Sequence, residues 1–274
     1  MAGFFGLFNY EKEGPGIEKN APKKKTFIVF FETFFRNFWK FIPINFVYSL
    51  ISIPLITTGI SAVGLTNVTR NTARDKHSFG LSDFFETIKK NLFQAITAGI
   101  INVIAIAILA FALFFYYSSK GTVSIIGLGI SFAILYIFTV MGYYMWTLMI
   151  TFNYTLKQIY TNSFKFVFLN MKNNILCTLC LILVYGMYIA IFLLFPYYIV
   201  IVLEILIGMI TLPGFTFLMI QYFTFPSIKK FIIDPYYAEH PDEDLDKRRN
   251  LGIEIEGEND DSQEDVETDE TDTI

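Results

Sequence analysis

The sequence predicts an all-α fold, a polytopic bundle of transmembrane helices. Four uninterrupted apolar runs each exceed the length of about 18 residues that marks a membrane-spanning helix, and a fifth run is broken by prolines. The uninterrupted runs are residues 92–117, 122–151, 175–195 and 197–225. Hydrophobic residues make up 54% of the chain and charged residues 17%, against about 45–50% and about 25% in soluble domains. Four full spans plus the broken first segment give five or six membrane helices.

The start of the chain is predicted to be an irregular cytoplasmic arm, residues 1–25. A Gly-Pro-Gly sequence at residues 14–16 disfavours a helix, and residues 23–25 are all lysine. The helix bundle is expected to occupy residues 26–237, and residues 238–274 to form a disordered tail.

Residues 26–40 are predicted to form an amphipathic helix that lies in the membrane interface. Their aromatic side chains recur at helical spacings, while Glu32, Arg36 and Lys40 recur every four residues on another face. The alternative is that these residues form the first turns of the following membrane segment.

The broken apolar run, residues 41–63, decides the topology. It contains Pro43, Pro54 and Gly59, which are residue types that interrupt a helix. Membrane-flanking segments rich in lysine and arginine stay in the cytoplasm, and both ends of this run are basic. The run should therefore enter and leave on the same side.

A hairpin satisfies that condition, with legs at residues 41–56 and 60–75 and a turn at Pro54 and Gly59. Each leg has about 16 residues and spans roughly 24 Å as a helix, somewhat less than a core of about 30 Å. The second leg is too polar for lipid, so it should face protein, water or headgroups. The alternative is a single crossing that leaves the basic arm outside.

Ser82 is predicted to cap a short cytoplasmic helix that leads into the first full span. Asp83 and Glu86 lie in its first turns, and Lys89 and Lys90 lie in its last turn. This order of charges matches the helix dipole at both ends.

A second compact cytoplasmic loop, residues 155–174, mixes phenylalanine with lysine. Such basic and aromatic surfaces suit anionic headgroups or a protein partner. Lys229 and Lys230 follow the last span, so both termini are predicted to be cytoplasmic.

The charge of the chain is divided between the bundle and the tail. Residues 1–238 hold 18 Lys and Arg against 9 Asp and Glu, whereas residues 239–274 hold 3 against 16. A segment so acidic and so poor in apolar residues is predicted to be disordered. It either keeps the protein soluble or docks a basic partner.

Five short motifs follow one another between residues 36 and 85. They are R-x-F-W-K (Arg36, Phe38, Trp39, Lys40), N-x-x-Y (Asn45, Tyr48), S-x-P-x-x-T-x-G (Ser52, Pro54, Thr57, Gly59), R-N-x-x-R (Arg70, Asn71, Arg74) and S-D-F-F (Ser82, Asp83, Phe84, Phe85). With these motifs, residues 1–95 resemble the YesL-like family of bacterial membrane proteins, which has no established function. The chain departs from the family at Ile60, where members often have proline. The resemblance implies a location in the bacterial plasma membrane and, because members are often encoded beside carbohydrate-uptake genes, an accessory role in sugar import.

The first candidate site is Arg70, Asn71 and Arg74, on the polar leg next to the helix break. Broken helices at membrane depth often mark ligand sites, and two arginines can hold an anion with paired hydrogen bonds. The alternative is simple anchoring by positive charge. The break itself is formed by Pro54, Thr57 and Gly59.

The second candidate is Glu204, the one acidic residue inside an uninterrupted span. A carboxylate at membrane depth is costly and usually faces a bundle interior or water. It is either a proton or cation relay, or a structural hydrogen-bonding group. Asn102 and Gln221 are expected to bond helices together, and Gly127 and Gly129 indicate close helix packing.

The sequence contains no recognised catalytic or phosphate-binding motif. His77 and His240 are far apart, and Cys177 and Cys180 lie in an apolar helix, where packing is expected. We therefore expect no enzyme activity, no cofactor and no metal site. Nucleic acid is not expected as a partner, because the basic residues are scattered as anchors beside the spans.

These observations favour a multi-pass membrane protein that is a non-catalytic accessory or scaffold of a transport system. Its partners would be membrane lipids and a sugar transporter permease or another membrane protein. One alternative is an autonomous transporter of a small solute or ion that uses the broken helix and Glu204. The other is a lipid-binding protein that organises the membrane.

Overall fold

The computed structural model describes residues 26–76 and 78–240, and every regular element in these two ranges is helical. In chain order they are α1 (Thr26–Arg36), α2 (Phe38–Ser52), a 3₁₀ turn (Leu55–Thr57), α3 (Thr58–Ala73), α4 (Leu81–Ser118), α5 (Thr122–Thr151), α6 (Leu156–Leu169), α7 (Met171–Leu194), α8 (Tyr198–Ile228), a π-helical turn (Lys229–Ile233) and α9 (Asp234–Glu239). The all-α prediction is confirmed. The predicted arm, His77 and residues 241–274 of the predicted tail lie outside the described residues.

Four helical segments of the described chain are long and apolar enough to cross a membrane. They are α4, α5, α7 and the continuous stretch from α8 to α9. These helices coincide with the four uninterrupted apolar runs, so the predicted polytopic bundle is confirmed. Their outward surfaces are covered by exposed apolar side chains such as Phe111, Ile130 and Leu183, as expected for helices in contact with lipid.

Helices α2 and α3 fold back on each other as a hairpin. Near its closed end the Ser52 and Ser61 hydroxyls lie 2.7 Å apart, and at its open end Arg36 forms an ion pair with Asp75. These two pairs give an antiparallel register. The helix before the turn ends at Ser52. Ile53 still has helical dihedral angles, and the chain leaves the helix at Pro54, which has no N–H to donate and whose ψ is +114°. Pro43, by contrast, lies inside α2 without ending it.

Gly59 does not form the turn of the hairpin, although the sequence suggests that role. It lies in the first turn of α3, where a Cβ atom would overlap the carbonyl oxygen of Ala95 and come within 2.8 Å of the Gly99 Cα atom in α4. The turn is instead closed by Thr57, whose hydroxyl donates to the Pro54 carbonyl oxygen at 2.7 Å. Gly59 therefore permits backbone contact between α3 and α4.

The polar helix α3 is enclosed by protein, which is one of the three surroundings that the sequence left open for it. Its buried threonines Thr66, Thr69 and Thr72 each donate a hydrogen bond to the carbonyl group four residues earlier, which satisfies their hydroxyls without a partner helix. On the other side of the hairpin, Asn45 of α2 donates to the Ile210 carbonyl oxygen of α8 at 2.8 Å. The hairpin is thus clamped between α4 and α8.

The predicted amphipathic helix over residues 26–40 is divided at Asn37. Helix α1 ends at Arg36, and the Asn37 side chain donates to the Thr33 carbonyl oxygen at 2.9 Å. The aromatic face is also divided: Phe30 and Phe34 are buried against Phe215 of α8, each at a ring distance of 5.1 Å. Part of the face predicted for the interface is therefore held by the bundle.

The predicted cap at Ser82 is wrong. Helix α4 begins at Leu81 after Gly80, whose φ of +67° favours glycine, and the Asp83 carboxylate accepts the Phe79 N–H at 2.9 Å. The short helix expected after Ser82 and the first span form a single 38-residue helix. The charged first turns therefore extend the span without a break.

The loop between α5 and α7 folds into α6, which starts with a capping box between Thr155 and Gln158. Helix α6 ends at Leu169. The side-chain amide of the next residue, Asn170, donates to the Tyr144 hydroxyl at 2.8 Å, and Tyr144 in turn donates to Asn174 at 2.6 Å. This buried network joins α5, α6 and α7 at one end of the bundle.

Three of the four small and polar residues that are predicted to join helices make such contacts. Asn102 accepts from Tyr160 at 3.0 Å, Gln221 donates to Thr147 at 2.8 Å, and Gly127 lies against the Tyr116 ring. Gly129 faces open space, so the expectation of close packing is wrong there. Both cysteines are free thiols.

Candidate functional site

The open end of the α2–α3 hairpin forms a polar cleft of about 380 Å³. Its walls come from the last turn of α1, the first turn of α2 and the segment that follows α3. The lining residues are Arg36, Asn37, Lys40, Thr72, Asp75, Lys76 and Ser78. The antiparallel register of the hairpin brings these two stretches together, although they are far apart in sequence.

The cleft carries an excess of positive charge. Among its described lining residues, Asp75 is the one carboxylate, and it is paired with Arg36 in an exposed ion pair. Lys40 and Lys76 supply two more cations. Burial, together with repulsion from Arg74 and Arg70, lowers the pKa of Lys76 to about 8. The cleft is therefore short of negative charge.

Three exposed aromatic residues are adjacent in sequence to residues of the cleft. They are Phe35, which precedes Arg36 and is 66% exposed, Trp39, which precedes Lys40 and is 81% exposed, and Phe79, which follows Ser78 and is 73% exposed. Aromatic residues concentrate where membrane and water meet. The cleft thus has the surroundings of a site at headgroup level.

Arg70 is predicted to hold an anion, but here its guanidinium is used within the bundle. Nη1 donates to the Thr151 hydroxyl at 2.7 Å and Nη2 to the Asn67 Oδ1 atom at 2.9 Å. Asn67 continues the chain of bonds to Thr87 at 2.8 Å. These contacts join α3 to α5 and α4, so Arg70 acts on the cleft through its charge and through the position of α3.

Asn71 and Arg74 also support the end of α3. The Asn71 carbonyl oxygen accepts the backbone N–H of Lys76 at 3.0 Å, which closes the turn that presents Lys76 to the cleft. The Arg74 guanidinium lies 4.4 Å from the centre of the Phe225 ring in α8. The predicted trio is thus beside the cleft rather than inside it.

The structure separates this trio from the helix break. Arg70 follows Gly59 by eleven positions in α3, a distance of about 16 Å along the helix. Pro54, Thr57 and Gly59 mark the closed end of the hairpin, while the arginines lie at the open end. The expectation that the two features adjoin is wrong, because α3 is a continuous helix between them.

Glu204 is remote from the cleft and from the arginine residues beside it. It is buried, and neither carboxylate oxygen has a hydrogen-bond partner among the described residues. Tyr222, eighteen positions later in α8, bonds to Thr33 at 3.0 Å near the cleft, so Glu204 lies roughly 27 Å along α8 from that level. The Tyr188 hydroxyl of α7 donates to the backbone carbonyl of Glu204.

In the sequence alone, Arg36 and Lys40 belong to an amphipathic face, and Lys76 is one of several basic residues beside the spans. The signal that could have joined them was the hairpin itself, since two basic ends of a hairpin must meet. Their precise partners depend on the register, which is visible only in the folded chain.

Comparison with known proteins locates one family match. Residues 41–113 match a family described as "Protein of unknown function, DUF624". The match begins in α2, contains α3 and extends through most of α4, and it is consistent with the resemblance of residues 1–95 to the YesL-like family. Comparisons with curated proteins and with solved structures gave no match.

Proposed function

We propose that the chain is a non-catalytic membrane protein that holds the phosphate of an anionic lipid headgroup in the cleft at the open end of the hairpin. The observation that carries the proposal is the cleft's charge: Arg36, Lys40 and Lys76 face a space in which Asp75 is the one described carboxylate. A phosphate would supply the missing negative charge.

The lining groups suit phosphate chemistry. Arginine and lysine form charge-assisted hydrogen bonds to phosphate oxygens. The Asn37 amide donates one N–H to Thr33 and has a second N–H to offer. The exposed Trp39 and Phe79 support a lipid rather than a free phosphate, because aromatic side chains at this level anchor a protein among headgroups.

The clamped hairpin gives the cleft a rigid base. The Asn45 bond to α8, the Gly59 contact with α4 and the Arg70 bonds to α5 hold the two walls on three different helices. A preorganised site loses less conformational entropy when it binds a ligand. This arrangement suits binding.

The test is a titration of the purified protein in detergent with short-chain phosphatidylglycerol, short-chain phosphatidylcholine and inorganic phosphate. We expect phosphatidylglycerol to bind most tightly. Loss of one charge-assisted bond in Lys76→Gln or Arg36→Gln should weaken binding about tenfold.

Lys89→Gln is the matched control, because Lys89 is an exposed lysine of α4 outside the cleft. It removes the same charge and should leave binding unchanged. Equal binding of phosphatidylcholine would contradict the proposal, and equal binding of inorganic phosphate would replace the lipid with a free anion.

A second function, an accessory or scaffold of a transport system, is favoured by where the motif residues lie. Asn45, Gly59 and Phe84 contact α8, α4 and Gly64 of α3, respectively, so they build the hairpin unit. Motifs that maintain a shape are expected in a protein whose task is to dock. The resemblance to the YesL-like family suggests carbohydrate uptake as the pathway and a permease as the partner.

Gentle co-purification of the tagged chain from its host, followed by mass spectrometry, tests the second function. A transporter permease or ATPase in stoichiometric amount is the expected result. Recovery of the chain alone as an oligomer would contradict it and would favour the autonomous transporter that the sequence left open.

A further inference from the structure

The chain leaves the helix bundle at the same end as the basic cleft. Tyr222 of α8 bonds to Thr33 near the cleft. Phe225, about one turn further along α8, lies 4.4 Å from the Arg74 guanidinium. From there α8 continues through the π-helical turn into α9, and the structure describes the chain as far as His240. Residues 241–274 therefore follow from the end of the bundle at which the cleft opens.

The charge of these residues complements the charge of the cleft. From residue 250 onward the sequence has eleven aspartates and glutamates, all of them in residues 254–272, and no lysine or arginine. We refer to residues 254–272 as the acidic segment. The cleft has the opposite composition, because three of its described lining residues are cationic and Asp75 is the one carboxylate among them. Opposite charges at this density attract each other.

The length of the chain selects which acidic residues reach the cleft. His240 follows Tyr222 by eighteen positions, roughly 27 Å along a helix. An extended chain gains at most about 3.5 Å per residue, so residues 242–246 reach at most about 21 Å from His240, whereas residue 254 can reach about 49 Å. Residues 242–246 also adjoin the basic residues 247–249, which offset most of their charge. The acidic segment is thus the better occupant.

Attachment to the same chain favours this contact. Segments tethered by short flexible linkers have effective concentrations in the millimolar range. A segment that binds the cleft with a dissociation constant of about 0.1 mM as a free peptide would therefore occupy it most of the time when tethered. It would also raise the apparent dissociation constant of a competing cleft ligand about tenfold.

We propose that the acidic segment occupies the basic cleft and competes there with the lipid headgroup. This inference rests on the proposed function of the cleft and adds its regulation. Carboxylates of the segment accept the charge-assisted hydrogen bonds that phosphate oxygens would otherwise accept. A membrane surface dense in anionic lipid displaces the segment, and a neutral surface leaves it in place. The segment therefore sets the density of anionic lipid at which the cleft engages the membrane.

Tryptophan fluorescence measures the contact in the absence of added lipid. The chain has two tryptophans, Trp39 and Trp146, and Trp39 is exposed and precedes Lys40 of the cleft. Trp146→Phe leaves Trp39 as the one reporter. Thr268→Cys, in a full-length chain whose two native cysteines are replaced by alanine, carries a nitroxide that quenches tryptophan on close approach.

We expect weaker Trp39 emission from the labelled protein in detergent than from the same sample after chemical reduction of the nitroxide. The quenching should not depend on protein concentration, because the contact is within one chain. It should fall as ionic strength rises, since salt screens exposed charges.

Charge changes on each side assign the quenching to this contact. Lys76→Gln or Arg36→Gln should weaken it several-fold, and replacement of the eleven carboxylates of the acidic segment by their amides should abolish it. Lys89→Gln is the control outside the cleft. Replacement of the four carboxylates in residues 242–246 by amides is the matched control in the tail. Neither control should change the quenching.

A lipid titration connects the contact to headgroup binding. Short-chain phosphatidylglycerol should restore Trp39 emission in the labelled protein, and short-chain phosphatidylcholine should not. The full-length chain with the neutralised acidic segment should bind phosphatidylglycerol about tenfold more tightly at low ionic strength than the unaltered chain. In Lys76→Gln, neutralising the segment should have a smaller effect.

The two parts can fail separately. Absence of quenching at low ionic strength, or equal quenching in Lys76→Gln and Lys89→Gln, would overturn docking of the acidic segment and leave the headgroup site in place. Quenching that depends on Lys76 but is not relieved by phosphatidylglycerol would keep the docking and overturn the competition, and with it the headgroup site. Gel filtration and thermal unfolding of each variant verify that a change in quenching is not a loss of fold.

Discussion

The charge of the basic cleft depends on pH because one of its lining residues, Lys76, titrates near pH 8. Burial and the repulsion of Arg74 and Arg70 lower the pKa of Lys76 to about 8, and burial also lowers the pKa of Lys40, by less. Arg36, Lys40 and Asp75 also line the same space. Of the cations around the cleft, the arginines keep their charge over this range.

This pKa predicts opposite effects of pH on binding and on stability. As pH rises through about 8, Lys76 loses its proton, so affinity for short-chain phosphatidylglycerol should fall. Because the folded pKa lies below that of the unfolded chain, unfolding takes up a proton between about pH 8 and 10.5, and the free energy of unfolding should rise across that window.

Titrations at a series of pH values, with thermal unfolding at each, would measure both trends. The phosphodiester does not titrate in this range, so the change belongs to the protein. In Lys76→Gln the fall in affinity should disappear. A fall that persists in that variant would contradict the assignment to Lys76.

Gly59 shows how a single missing Cβ atom sets the distance between two helices. In Gly59→Ala the added methyl group would overlap the Ala95 carbonyl oxygen and the Gly99 backbone, which are not flexible side-chain ends. Helices α3 and α4 would have to separate, at a cost of about 1–3 kcal/mol or more. The expected result is a clear drop in the thermal midpoint of the detergent-purified protein.

Gly186→Ala is the matched control for that measurement. Gly186 lies in α7, and a Cβ atom there would meet nothing within 4 Å. The substitution should be neutral or slightly stabilising, because alanine favours a helix by about 1 kcal/mol over glycine. Equal destabilisation of the two variants would mean that the α3–α4 contact is not the cause.

At the scale of elements, the sequence predicts the membrane spans better than the boundaries around them. The apolar blocks of α4, α5, α7 and α8 are unmistakable because lipid demands continuous hydrophobicity. The division of residues 26–40 at Asn37 and the start of α4 at Leu81 depend on single hydrogen bonds, of Asn37 to Thr33 and of Phe79 to Asp83. Both bonds join residues four positions apart, and asparagine and aspartate can bond to the nearby backbone in so many contexts that the residue type alone does not mark a boundary.

The cleft was beyond prediction for a related reason. Arg36 and Lys76 are forty positions apart, and their approach depends on the antiparallel register that Ser52 and Ser61 establish at the other end. The sequence indicated a hairpin through its basic ends and its prolines, but it could not indicate which side chains face one another. Arg70 was expected in a binding role because nothing in the sequence reveals its bonds to Thr151 and Asn67.

The hairpin predicts that the residues at its two ends are exposed to water on the same side of the membrane. Single cysteines at Phe35 and Phe79, two exposed positions at its open end, should react with a membrane-impermeant thiol reagent from one side of sealed vesicles. Lys120→Cys, in the turn between α4 and α5, should react from the opposite side. All three belong in a chain that has Cys177 and Cys180 replaced by alanine, because both native thiols are free.

If the Phe35 and Phe79 positions react from opposite sides, the segment between them crosses the membrane once. That result would contradict a hairpin, whether the hairpin is re-entrant or crosses the membrane twice. Labelling of both from the extracellular side would keep the hairpin and reverse the orientation that the positive-inside rule predicts. The experiment thus separates the shape of the element from its direction in the membrane.

At the scale of the whole molecule, the polar features occupy two separate levels. The basic cleft lies at the open end of the hairpin, near the level of Tyr222 and its neighbour Gln221 in α8, whereas Glu204 lies roughly 27 Å along α8 from that level. A transporter that uses Glu204 must connect these levels through a change of conformation. A lipid-binding scaffold needs no such connection.

Glu204→Gln therefore distinguishes the two classes of function. The substitution keeps the shape of the side chain and removes a carboxylate whose two oxygens have no hydrogen-bond partner in the described part of the chain. For a scaffold, we expect a thermal midpoint that is unchanged or higher and an unchanged affinity of the cleft for phosphatidylglycerol, because the site is too distant for direct contact. A several-fold change in that affinity would instead demonstrate energetic coupling along α8. Coupling of this kind, together with a loss of pH-dependent flux in proteoliposomes, is what an autonomous transporter requires and what a scaffold does not predict.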